Sequence, residues 1–172
     1  VQTCALPISS ARIRPEVIST MAETMASVGN ASSIHSAGRA ARKAVETARK
    51  EVATLVGAQP DQVIFTSGGT EADNQAMAGT DPERTFVCAI EHPAVLDASP
   101  TAMRFPVDAS GVADLAALER LLSETPEPQL VALMLANNET GVLQPVREAA
   151  KIVHKYGARL HCDAVQAVAQ IP

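Results

Sequence analysis

The chain has 172 residues, 47% of them hydrophobic, with a formal net charge of -5, which is enough for one domain with a real core. Mild acidity without a lysine or arginine cluster argues against a nucleic acid or a membrane surface as the main partner. No apolar run approaches the roughly 20 residues that span a bilayer, and the N-terminus lacks the charged start and apolar stretch of a secretory signal. Cytoplasmic location is therefore the default expectation. Cys4, Cys88 and Cys162 are odd in number and widely spaced, which suits a reducing compartment better than a disulfide framework.

In chain order, a first helix is expected to begin at Pro15, which a first turn tolerates, and to stop before Gly29. Ala37, Ala40, Ala41, Ala44, Val45, Ala48, Val52, Leu55 and Val56 then recur at helical spacing with charged residues between them and Gly57 just beyond. That pattern predicts a long amphipathic helix. After Gly57 the texture changes. β-Rich runs at Val63 to Thr66, Thr85 to Ile90, Met103 to Val107, Leu130 to Ala136 and Ala158 to Cys162 alternate with helical stretches at Glu71 to Ala78, Ala113 to Leu122 and Val146 to Tyr156. Strand–helix alternation predicts an α/β fold, a mostly parallel sheet flanked by helices. Pro126 and Pro128 mark a loop within it. No internal repeat or low-complexity tract is present.

The run Gly68-Gly-Thr-Glu-Ala-Asp-Asn74 follows Val63-Ile-Phe-Thr-Ser67, so a strand is expected to meet a helix through a turn of glycines and small hydroxyls. Adjacent glycines let the backbone approach an anion, and a helix starting near Thr70 would aim unpaired N–H groups and its positive dipole end at the same spot. An ordinary strand-to-helix turn, with Thr70 as a plain N-cap, is the competing reading. In open α/β sheets ligands gather outside the carboxyl ends of the strands. Gly68 to Thr70, His92, Asn137 to Glu139 and Asp163 all fall at such ends. Asp163 ends an apolar strand, where a half-buried carboxylate needs a cation or donor unless it caps the next helix. His92 precedes Pro93 and so belongs to a stiff turn. His161 and Asp163 should share one face with Cys162 on the other, which makes a metal site there improbable.

The same glycine turn, Gly29-Asn-Ala-Ser-Ser-Ile-His35 with Gly38-Arg39, Ala89-Ile-Glu-His-Pro-Ala-Val95, Asn137-Asn-Glu-Thr-Gly141 and His161-Cys-Asp-Ala-Val-Gln-Ala167 together resemble, in this order, a cysteine desulfurase. That family lies within the class V aminotransferase-like, pyridoxal-phosphate-dependent enzymes, and the resemblance runs from Arg14 to Pro172. It implies part of the large domain of a fold-type I enzyme. The complete enzyme would take sulfur from L-cysteine, release L-alanine and pass persulfide sulfur to an acceptor or scaffold protein of iron–sulfur assembly, working as a homodimer. Selenocysteine lyase, or another class V relative, is the alternative within the enzyme class. A small α/β module binding a phosphorylated ligand is the alternative outside it.

By resemblance Gly69 and Thr70 hold the cofactor phosphate, Asp163 partners the protonated pyridine nitrogen, and Gln166 and Asn138 contact the ring's phenolic oxygen. His92 stacks on the ring and assists proton transfer, a task suited to a group titrating near neutrality. His35 resembles a histidine of the same enzymes, with a structural role at a helix start as the other reading. His154 belongs to a solvated helix face. Cys88 and Cys162 match no sulfur-attacking cysteine of the family and read as buried strand residues. The Schiff-base lysine, the catalytic cysteine and the carboxylate-binding arginine are expected beyond Pro172, so the chain alone is expected to be inactive. Residues 1–10 are expected to be non-native. Val1-Gln-Thr-Cys-Ala-Leu-Pro-Ile8 resembles the translation of a sequencing-library adapter, and Cys4 would then have no function. Residues 11–172 are expected to form a partial cofactor-binding large domain, truncated at its C-terminal end.

Overall fold

A computed structural model describes residues 12–168; the N-terminal octapeptide with Cys4, and the final Gln170 to Pro172, lie outside the described residues. The chain divides into two compact units, one of Ala11–Phe65 and one that contains Thr66 onward.

In the first unit, α1 spans Pro15–Ala26 with Pro15 in its first turn, where a missing N–H costs nothing. The amphipathic stretch forms α2, Ser36–Val56. His35 caps it, its Nδ1 accepting from the Gly38 amide at 3.2 Å, so His35 has a structural role at a helix start. Gly57 ends the helix at φ 69°, the left-handed turn that glycine makes without strain. Gly38 is required by proximity instead. A Cβ there would lie 2.3 Å from the Ser33 carbonyl oxygen and 2.8 Å from that of Asn30. The 29–35 loop is thus pressed directly on the first turn of α2.

Val63 to Thr66 is not a strand. The segment is extended but joins no sheet among the described residues, and Ile64 is 75% exposed. β-Propensity reflects fit to a half-buried pleated surface, and no neighbouring strand supplies that surface here. The Val63 carbonyl is instead taken by the Arg49 guanidinium, which also lies 5.0 Å from the centre of the Phe65 ring.

The second unit is the α/β layer structure expected from the alternation. Its elements are α3 (Gly69–Met77), β1 (Thr85–Cys88), α4 (Pro93–Ala98), β2 (Met103–Phe105), α5 (Leu115–Glu124), β3 (Leu130–Ala132), α6 (Val146–Lys155) and β4 (Arg159–His161). All pairings are parallel, in the order β2-β1-β3-β4. Side chains alternate across the central strands. Phe86, Cys88, Val131 and Leu133 face a core shared with Leu118 and Leu122 of α5 and Ala149 and Val153 of α6. Val87, Leu130 and Ala132 face Met77 of α3 and Val95 of α4. Both faces are covered, which is why these strands read as continuous apolar runs. The expected strands are shorter than their sequence runs, although Leu133 and Leu135 still donate to the carbonyls of His161 and Asp163 at 3.0 and 2.8 Å. The six-residue α4 was not expected from sequence; Pro93 opens it with His92 as its cap.

The chain leaves β1 towards β2 on one side and leaves β3 towards β4 on the other. A crevice therefore opens between the carboxyl ends of β1 and β3, the position where such sheets bind ligands.

Candidate functional site

A cleft of about 260 Å³ lies at this end of the sheet, lined by Gly69, Thr70, Asp73, His92, Met134, Ala136, Asn138, Asp163, Val165 and Gln166. All six residues singled out in the sequence, Gly69, Thr70, His92, Asn138, Asp163 and Gln166, therefore meet around one space.

The start of α3 forms one wall. Its N-cap is Gly68, and no side chain caps its first turn, so its leading amides have no intrahelical acceptor. Thr70 stands inside the helix and is not its N-cap, which sets aside the plain-cap reading. Glu71 turns back to accept from the Ser67 amide at 2.6 Å, which holds this exposed carboxyl below its usual range. Gly68 is extended, at φ 167°, and neither it nor Gly69 adopts a left-handed conformation. A Cβ at either position would meet no atom within 4 Å. The chain's own conformation and packing thus do not require this glycine pair. What it provides is open space against bare amides, a cradle for an anion.

The opposite wall comes from the strand ends. His92 is half-buried and its Nδ1 accepts from the Ala94 amide at 3.1 Å. With Nδ1 accepting, the neutral ring carries its proton on Nε2. Asp163 follows β4 and accepts from the Val165 amide at 2.9 Å through Oδ1, so among the described residues it caps a turn, where the alternative reading expected a helix, and it also lines the cleft. Asn138 and Gln166 are half-buried and supply amide groups that both donate and accept.

Two acids that sequence reasoning left without a role are buried at this end of the sheet, Glu91 after β1 and Asp73 on α3. Glu91 is 4% exposed, its Oε1 accepts from the Met134 amide at 2.6 Å, and its Oε2 is buried with no partner. Asn137 answers from the other side, donating to the Ile90 carbonyl at 3.1 Å, while its Oδ1 takes the amides of Glu139 and Thr140 at 3.0 and 2.9 Å. The residues just before His92 and Asn138 thus clip the ends of β1 and β3 together. Burial pushes the Glu91 carboxyl up from 4.5 to about 7, with the Met134 amide opposing and the charges of Asp163 and Asp73 adding to the rise. A carboxyl that holds its proton more tightly when folded stabilises the protein fully below about pH 4.5 and progressively less as the pH rises through about 7. The expected loss across that window is about 3 kcal/mol. Denaturant melts at several pH values should show it in the wild type and not in Glu91→Gln, which imitates the protonated acid; equal pH slopes would contradict the assignment.

Asp73 is the second acid, 5% exposed and on the cleft wall. Its Oδ1 lies 3.0 Å from Nε2 of His161. Burial, then the charge of Asp163, raises its carboxyl above the ordinary range, opposed by His161 and His92. The signal was available: residue 73 lies four positions after Gly69, hence on the same helix face. Neither Cys88 nor Cys162 lines the cleft. Cys88 is buried in β1, but Cys162 lies just past β4 and is only partly buried, which corrects its reading as a buried strand residue. Burial pushes both thiols to about 11, so neither is a thiolate near neutrality. His154 is exposed on α6, as expected. Among the described residues no cluster could hold a metal ion, and no helix is long and apolar enough to cross a membrane. Lys43 and Lys50 on α2, and Lys151 and Lys155 on α6, are all absent from the cleft wall.

Comparison with known proteins finds relatives over nearly the whole chain. The chain is 37% identical to an IscS-like cysteine desulfurase of Mycobacterium tuberculosis, over 93% of this chain and 45% of that protein. It is 41% identical to a cysteine desulfurase of Cereibacter sphaeroides, over 95% of this chain and 46% of that protein. A NifS-like protein from Rickettsia africae superposes with a TM-score of 0.90 at 35% identity, covering 98% of this chain and 49% of that one. The chain thus spans about half the length of the relatives it matches. The family model for class V aminotransferases matches residues 8–172, and the chain belongs to that family.

Proposed function

We propose that this chain is part of a pyridoxal-phosphate-dependent cysteine desulfurase, contributing much of the cofactor cleft. The observation that carries the reading is the glycine cradle: open, uncapped and unexplained by the chain's own packing, on a cleft that the Asp163 carboxylate also lines. An anion at the cradle and a protonated ring nitrogen at Asp163 fit these groups, and the two amides and the imidazole of the same cleft suit a polar aromatic ring. Gly69 and Thr70 would bind the phosphate through backbone amides and the Thr70 hydroxyl. Asp163 would keep the pyridine nitrogen protonated, and Asn138 and Gln166 would donate to the phenolic oxygen. His92 would lie against the ring and carry a proton at Nε2. When bound, pyridoxal phosphate supplies an electron sink for the pair released at the substrate α-carbon.

The whole protein would act on L-cysteine, yield L-alanine and hand persulfide sulfur to an acceptor of iron–sulfur assembly, as a cytoplasmic homodimer. The lysine and the cysteine of that chemistry would come from residues outside this chain. The relatives' names and the shared fold support this assignment. The test is to purify the full-length protein and follow alanine release from L-cysteine and from L-selenocysteine, with and without pyridoxal phosphate. Cofactor-dependent alanine release from L-cysteine is expected; preference for L-selenocysteine would select the lyase alternative, and phosphate-ligand binding without turnover would select the binding module. In the same protein, Thr70→Val removes a hydroxyl donor to an anion and should weaken cofactor retention about ten-fold. Equilibrium dialysis of the variant reads this directly, and unchanged retention would remove Thr70 from the cradle.

A further inference from the structure

The proposed contacts with the cofactor's phosphate and its ring nitrogen are carried by different elements, α3 and the end of β4, and something must hold these in register. Among the described residues, the one side-chain hydrogen bond that spans the two elements is between Asp73 Oδ1 and His161 Nε2, at 3.0 Å. Asp73 stands one helical turn after Gly69 and Thr70. His161 closes β4 two residues before Asp163, on the same face by strand alternation. Both side chains are largely buried, with 7% and 17% of their surfaces exposed, and an ionised carboxylate can only accept, so the imidazole Nε2–H donates.

We propose that Asp73 and His161 are a positioning pair that fixes the phosphate-binding start of α3 against the strand end that carries Asp163, and so sets how the cofactor is seated. This rests on the reading of the cleft as a pyridoxal phosphate site. Asp73 is itself on the cleft wall with Gly69, Thr70 and Asp163. A shift of either element therefore changes the shape of that cleft. Hydrogen bonds of this charged, buried kind are strong enough to matter, because leaving either partner unpaired strands a buried polar group. Partners acting as one unit also fail as one unit, so removing the second after the first should cost little more.

The experiment uses the full-length protein loaded with pyridoxal phosphate and compares wild type, Asp73→Ala, His161→Ala, the double variant and Asp73→Asn. The readouts are the rate of cofactor loss on dilution, the visible circular dichroism of the bound cofactor, which reports its seating, and kcat and KM for L-cysteine. Each alanine variant is expected to lose cofactor about ten-fold faster, with a diminished dichroic band and a fall mainly in kcat. The double variant should be no worse than either single. Asp73→Asn keeps an acceptor for Nε2–H and should recover most of the band. Where an alanine variant does not fold, Asp73→Leu and His161→Phe fill the space without the hydrogen bond and are read in its place. Wild-type retention and dichroism in the variants, or effects that multiply in the double variant, overturn the pair while leaving the cofactor reading intact. A wild-type protein that takes up no pyridoxal phosphate overturns that reading, and this one with it.

Discussion

Asp163→Ala in the full-length protein is expected to lower the proposed turnover by about a hundred-fold or more, the range seen when one preorganised group that stabilises developing charge is removed. Its thermal unfolding should stay within a few degrees of the wild type, and most cofactor binding should remain. On the proposed reading, the substitution removes the group that would partner the ring nitrogen and leaves Gly69 and Thr70 untouched. Its structural cost is one hydrogen bond, from the Val165 amide to Oδ1, worth about 1 kcal/mol. The Asp163 charge also contributes to the raised carboxyls of Glu91 and Asp73, so its removal relieves repulsion and offsets part of that loss. Thr70→Val should show the opposite profile, with cofactor weakly held but competent once bound. If the two variants changed retention and turnover alike, the division of roles between Asp163 and Thr70 would be wrong.

Gly38→Ala is expected to be the most destabilising small substitution in the first unit, by about 3 kcal/mol or more, because overpacking against backbone cannot be relieved by a rotamer change. The added Cβ would sit 2.3 Å from the Ser33 oxygen and 2.7 Å from its Cβ. Relief would require the loop to lift off α2, with loss of the His35 cap. Gly57→Ala is the control. It also places a side chain on a special glycine, at φ 69° but with no atom within 4 Å, and should cost only about 1 kcal/mol. Urea titrations of both variants in the full-length protein separate the two kinds of strain. A Gly38→Ala protein as stable as Gly57→Ala would show that the loop yields.

The alternation of elements was legible in the sequence because the central strands β1 and β3 are buried throughout and α5 and α6 each bury one face. The apolar run of β1 and the helical spacing of Leu118 and Leu122 in α5 are local records of those environments. Val63 to Thr66 misled because it has the composition of a buried strand without a partner to pair with, and pairing is not a local property. The six residues that line the cleft could be brought together by their motifs and the rule that ligands lie at the strands' carboxyl ends. Helix spacing puts Asp73 on the face of Gly69, yet neither it nor Glu91 could be given a role from its motif alone. A buried acid is identified by what it meets, and their partners, His161 and the Met134 amide, come from remote parts of the chain. Cys162 shows the limit from the other side, since a strand that ends at His161 leaves the next residue half-covered.

The clip between Glu91 and Met134 joins residues 43 apart in sequence, and the pair of Asp73 and His161 joins residues 88 apart. Closing such long loops costs chain entropy before any contact compensates, so parallel sheets of this kind gain their distant contacts late in folding. The cleft is therefore a property of the finished unit: its walls exist separately in a partly folded chain, but the spacing between them does not. A ligand that needs both walls cannot speed the search for the native state. It can only hold the product once formed, lengthening the lifetime of the folded protein by slowing its opening.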